Sequence, residues 1–197
     1  MLVVPMIKYY FSTLLLGISF MVVVTIGVSC KKDNCKKNIE EKLYVANEDD
    51  GTVSVIDARS FEVLETVDLT YKKEMYMAHN VQVAPDNGSV WVTGAQMHNH
   101  HGDEMLIVLK GKREKDKEHI NLGSGQHLAH VVLDDESKYA YVTANESGQV
   151  IKVDAEKMKE VQRFDLGSGS GPHGMRYMNG KPYVACMTSQ EMAIIDV

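Results

Sequence analysis

Between Tyr44 and Asp196 the chain carries one pattern several times. Three segments align without gaps: YVANEDDGTVSVID (Tyr44 to Asp57), YVTANESGQVIKVD (Tyr141 to Asp154) and YVACMTSQEMAIID (Tyr183 to Asp196). A fourth, WVTGAQMHNHHGDEMLIVL from Trp91 to Leu109, matches at both ends and is longer in the middle. Each reads as a β-rich run, a polar turn and an alternating strand. A further unit stands ahead of the last three of these segments: HNVQVAPDNGSV from His79, HVVLDDESKYA from His130 and HGMRYMNGKP from His173. It opens on histidine each time and passes through a turn built from Pro, Asp, Asn and Gly. One more strand follows elsewhere in the pattern, as FEVLETVDL, KEHINL and EVQRFDL.

The repeating unit is therefore four short strands over roughly 42 to 50 residues, the period and content of a β-propeller blade. One such sheet cannot bury both of its faces, so successive blades stack and share a continuous core. The expected fold is all-β: a β-propeller of four-stranded antiparallel blades, preceded by an apolar signal or anchor segment. About three and a half blades are counted, whereas closed rings have about four to eight. On that count the ring is incomplete, and the expectation is an N-terminal part of a longer protein, with two chains completing one ring as the alternative.

YVANEDDGTVSVID, PHG (Pro172 to Gly174) and YVTAN resemble the YVTN-type propeller repeat of secreted and surface proteins of bacteria and archaea. The resemblance runs over 42–197. Proteins with this kind of propeller include binding proteins, lactonase-like proteins and the propellers of nitrous oxide reductase and haem d1 proteins, so it implies a fold and not one activity.

Ahead of the repeats, Lys8 is followed by the uncharged run YYFSTLLLGISFMVVVTIGVS, which ends at Cys30. Its basic start and apolar middle suit a secretory signal. GVSC followed by KKDN resembles the lipobox of bacterial lipoproteins, with Gly27 standing where a leucine is usual. That resemblance implies cleavage before Cys30 and lipid on its sulfur. Residues 1–29 are accordingly read as a lipoprotein signal peptide, 30–41 as a Lys-rich tether and 42–197 as a partial propeller. A membrane anchor is the alternative for the first segment, since the run is long enough to span a bilayer. Either way the propeller lies in the cell envelope, facing the periplasm or the cell exterior, with the membrane as a partner through the anchor. Cys35, in the tether, and Cys186 are compatible with a disulfide, but their spacing does not establish one.

A net charge of -6 argues against a nucleic-acid partner, because phosphate binding needs a basic face. GSGSG (Gly167 to Gly171) lacks the Lys and following helix of a phosphate loop, and the sequence has no G-x-S-x-G elbow and no CxxC pair. Asp57, Asp154 and Asp196 end strands at repeat positions and read as turn-formers.

Histidine is the residue type that stands out. In a propeller the first strand of each blade lines the channel, and the loop joining the second strand to the third opens at the channel mouth. The repeat then brings His79, His98, His100, His101, His127, His130 and His173 to one face and leaves His119 in or near an outer strand. The segment GAQMHNHHGDEM (Gly94 to Met105) is the longer second-to-third loop, and nothing in the repeat requires it. In an extended H-x-H, His98 and His100 point to the same side and can reach one ion. His101, His79, Asp103 and Glu104 are the candidates for further ligands. Imidazole suits copper and zinc, and thioether favours copper(I), so Met97 and Met187 on the same face are noted beside them. Structural readings stand alongside: ring-to-backbone bonding for the blade histidines and adaptable packing for the methionines. The expected function is a non-enzymatic binding or scaffold module whose ligand, a small molecule or a protein, meets the His/Met-rich mouth. The alternatives are a copper or zinc binding protein or redox enzyme related to the nitrous oxide reductase propeller, and a lactonase-like hydrolase.

Overall fold

The structure, a computed structural model, describes residues 41–96, 102–111 and 116–197. The signal segment with Cys30, the tether with Cys35, and Met97, His98, His100 and His101 of the long loop lie outside the described residues.

The first sheet has three strands in the order β1 (Lys42–Asn47), β2 (Thr52–Asp57) and β3 (Val63–Asp68). The second has four: β4 (Tyr76–Val83), β5 (Ser89–Gln96), β6 (Asp103–Lys110) and β7 (Asp116–Ser124). The third repeats it with β8 (Leu128–Leu133), β9 (Tyr139–Ala144), β10 (Gln149–Asp154) and β11 (Lys159–Asp165). The fourth consists of β12 (Pro172–Met178), β13 (Lys181–Cys186) and β14 (Glu191–Ile194). Pairing within the sheets is antiparallel throughout, and strands adjacent in sequence are adjacent in the sheet. These are the blades of a β-propeller, met in chain order.

Side-chain alternation explains why the sheets stack. Val90 and Val92 of β5, with Met105, Ile107 and Leu109 of β6, enter one cluster with Val53, Val55 and Val67 of the first sheet. Their neighbours Trp91, Leu106 and Val108 point the other way and pack on Val131, Val142 and Ile151 of the third sheet. A strand covered on both faces reads as an unbroken apolar run, which is why β6 contains MLIVL. A third cluster joins Tyr141 and Val150 to Met175, Val184 and Cys186 of the fourth sheet. Cys186 is buried as a free thiol, and burial pushes its pKa up. On β1, Leu43 and Val45 are exposed, as are Met192 and Ile194 of β14, so each end sheet keeps an apolar face in solvent.

The turns use the residues the repeat displays. Asp57 accepts backbone hydrogen bonds from Arg59 and Ser60 (both 2.8 Å), and Asp154 accepts them from Glu156 (3.1 Å) and Lys157 (2.8 Å). The backbone bonds hold the pKa of Asp57 below the ordinary aspartate range, and for Asp154 the Lys157 ammonium, 2.7 Å from Oδ2, does so first and the Lys157 N–H next.

Candidate functional site

The innermost described strands of the last three sheets, β4, β8 and β12, carry His79, His130 and His173. His79 is the fourth residue of β4, His130 the third of β8 and His173 the second of β12. All three fall at breaks in the ladder. The register shifts between Ala78 and Asn80, between Leu128 and Val131, and between Pro172 and Met175. A bulge of this kind frees a residue from the pairing pattern and re-aims its side chain.

A threonine on the second strand completes two of these breaks. Thr93 Oγ1 accepts from the Asn80 N–H (3.1 Å) and donates to the Ala129 carbonyl in the next sheet (2.8 Å). Thr143 Oγ1 accepts from the His130 N–H (2.8 Å) and donates to the His173 carbonyl in the sheet after (2.8 Å). Both threonines are fully buried. The Val131 N–H also donates to Asn80 Oδ1 (3.1 Å), a further tie between β4 and β8.

With these strands clipped together, the imidazoles converge. Ring centroids are 5.2 Å apart for His130 and His173, 5.4 Å for His79 and His173, and 6.4 Å for His79 and His130. His127, from the corner between β7 and β8, stands 6.2 Å from His79. His79 donates through Nδ1 to Glu48 Oε1 (2.8 Å), a residue of the β1–β2 turn. Burial holds the pKa of His130 below the ordinary histidine value, helped by the neighbouring charges of His173, His79 and Arg176. Burial does the same for His173, followed by the charges of His79 and His127. Both shifts favour the neutral ring, which has one nitrogen able to accept a proton or a hydrogen bond.

A cavity of about 280 Å³ opens beside the cluster, with Glu48, Met77, His79, His127 and Glu146 in its wall. A larger cleft of about 400 Å³ lies among Asp86, Lys110, Ser137, Asp154 and Lys157, at the opposite ends of the strands and away from every clustered histidine. Among its charged groups, Lys157 and Asp154 are paired.

The other sequence candidates part ways here. Glu104 reaches the mouth cavity, yet its carboxylate is engaged by backbone: Oε1 accepts from the Gln126 and His127 N–H groups (2.9 and 2.7 Å) and Oε2 from Leu128 (2.6 Å). It is buried and fixes the corner that carries His127. Asp103 opens β6 on the other side, accepts from Asn121 Nδ2 (2.8 Å), and lines a separate cavity with Tyr71 and His119. Met187 lies exposed at the β13–β14 turn. His119 is on the outer strand β7, stacked on Tyr71 at 3.9 Å. Among the described residues, no three His, Cys, Asp or Glu side chains stand ready around a common metal position.

The sequence reading passed over Glu48, although the repeat placed its turn among the second-to-third loops at the mouth. Arg176 and the two threonines were missed as well; only the recurring T of WVTG and YVTA pointed to the latter.

No family model and no curated protein matches the sequence. Solved structures do. Hydrazine synthase of Kuenenia stuttgartiensis superposes with a TM-score of 0.62 at 15% identity, over 74% of this chain and 51% of that one. The periplasmic gluconolactonase of Pseudomonas aeruginosa gives 0.55 at 15% identity, over 79% and 53%. The Cps50 (Swd1) β-propeller domain of Myceliophteria thermophila gives 0.57 at 11% identity, over 79% and 50%. The chain spans about half the length of each, and the likeness is one of fold.

Proposed function

We propose that the chain is an envelope-anchored propeller that works as a binding module, with its ligand surface at the channel mouth around His79, His127, His130 and His173. The observation that supports this reading is the convergence of four imidazoles, three of them from ladder breaks on successive inner strands, beside an open cavity. Breaks in a ladder forgo backbone pairing, and here they turn polar rings toward one another instead of toward the core. Neutral imidazoles offer both donors and acceptors, which suits a small polar ligand or an ion. Lipid on Cys30 would hold the module at the membrane.

Histidine ring NMR on the full-length chain in detergent tests the reading, with a panel of sugar acids, sugar lactones and divalent metal ions. A ligand that moves the four mouth resonances and leaves His119 in place supports it. Binding that maps to His119 or to the Lys157 cleft, with the mouth unmoved, overturns it. Lactone turnover in the same samples would replace the binding module with a hydrolase. The anchor has its own test: Cys30→Ser should abolish incorporation of a fatty-acid label, and undiminished labelling would exclude lipidation at that cysteine.

A further inference from the structure

We infer that the ligand of the mouth is a small hydroxy acid with a single carboxylate, the carboxylate held by the ring N–H groups of His130 and His173 and a hydroxyl by His79. This rests on the binding reading above and names its ligand class.

Unmet hydrogen bonding is the first argument. Thr143 clips the main chains of His130 and His173, yet neither ring makes a hydrogen bond or an ion pair among the described residues. Both residues are half-buried, so their rings reach solvent. Each neutral ring carries one N–H donor. The charges that bear on them come from basic groups: His173, His79 and Arg176 for His130, and His79 and His127 for His173. Arg176 itself donates through Nη1 to the Met175 carbonyl (2.9 Å) and pairs with no carboxylate among the described residues. Two neighbouring donors in a positive field are the chemistry that holds a carboxylate.

Spacing is the second argument. An N–H···O bond of about 2.7–2.9 Å to a charged oxygen places that oxygen about 4 Å from the ring centroid, so two rings sharing it have centroids roughly 5–7 Å apart. The three inner-strand pairs stand at 5.2, 5.4 and 6.4 Å, so none of them has to close.

The His79 tautomer is the third. A carboxylate only accepts, so the 2.8 Å bond to Glu48 Oε1 puts the proton of the neutral ring on Nδ1 and leaves Nε2 as an acceptor. An acceptor beside two donors asks for a ligand that donates as well as accepts, and a hydroxyl next to a carboxylate does both. Glu48 and Glu146 stand with His79 in the wall of the adjoining cavity and repel a second carboxylate, which restricts the ligand to one.

Histidine ring NMR on the full-length chain in detergent, titrated with glycerate, provides the test. Glycerate should move the His79, His130 and His173 resonances and leave His119 in place. Propionate lacks the hydroxyls, glyceramide lacks the charge, and tartronate adds a second carboxylate. Each of the three should bind at least about tenfold more weakly than glycerate. His130→Gln/His173→Gln should abolish binding. Arg176→Gln, at an exposed position, should weaken it by about two- to fivefold at low salt. It keeps the test decisive if the double variant does not fold. Absence of glycerate binding, an analogue that binds as tightly as glycerate, or binding unchanged by Arg176→Gln would each overturn the inference. If glycerate does not bind but a sugar lactone or a divalent ion moves the mouth resonances, the inference falls and the binding reading stands. If glycerate moves His119 alone, both fall.

Discussion

Thr143 Oγ1 donates to the His173 carbonyl at 2.8 Å, so a second-strand residue of one blade holds the histidine-bearing strand of the next. The same hydroxyl accepts from His130 N–H, so one side chain positions two of the clustered rings. Thr143→Val keeps the volume but strands a buried N–H and a buried carbonyl. The expected loss is about 1–3 kcal/mol in urea unfolding. The Thr93→Val variant should behave alike through Ala129. A loss below a few tenths of a kcal/mol would show that the clip is dispensable.

The blades were legible because a period-two pattern repeated in register identifies each strand and its turn, and burial on both faces of β6 shows as MLIVL. The convergence of His79, His130 and His173 followed from the same repeat. The ladder break at each histidine was not read, although a bulge shifts the period-two phase: Leu128, Val131 and Leu133 all enter one cluster, and the slip falls between Leu128 and Val131. Glu104 misled for a related reason: beside three histidines a carboxylate reads as a ligand, and only its bonds to three consecutive N–H groups reveal a corner brace.

That brace gives the second prediction. Glu104→Gln replaces one carboxylate oxygen with an NH₂ facing an N–H group, in a buried place where neither can turn to water. Charge-assisted bonds of this sort contribute about 1.5–3 kcal/mol each. The variant should therefore lose about 2–3 kcal/mol and shift the His127 ring resonance. Unchanged stability would mean that the corner is held by its neighbours alone.

Acid should loosen the mouth before it affects the carboxylates. His130 and His173 have folded-state pKa values below the ordinary value of about 6.5, so beneath that pH the unfolded chain binds more protons than the folded one. Stability is then unaffected above about pH 7 and falls as pH drops from there toward 5. His119, held low by burial and by Lys117, adds to the same slope. Asp57, Asp68 and Asp154, held low in the folded state, contribute below about pH 4–5. Urea midpoints at pH 7.5 and 5.5 should differ for the wild type. The difference should shrink in His130→Gln/His173→Gln, and an equal difference in both proteins would rule out the mouth as its source.

Two glycines separate a backbone requirement from a spatial one. Gly148 has φ +67° and Gly169 has φ +79°, so alanine at either is strained by about 1–2 kcal/mol. Around Gly169 an added Cβ meets nothing within 4 Å, whereas at Gly148 it would lie 2.2 Å from the Gly167 carbonyl oxygen. That oxygen cannot easily retreat: Leu166 donates to the Gly148 carbonyl at 2.9 Å, and the Ser170 N–H to the Gly167 carbonyl at 3.1 Å. Gly169→Ala should thus cost about 1–2 kcal/mol. Gly148→Ala should exceed it by at least about 2 kcal/mol, the scale of a clash with fixed backbone. Equal losses in thermal or urea unfolding would mean that the turn between β9 and β10 can open, and that its approach to the chain leading into β12 is not fixed.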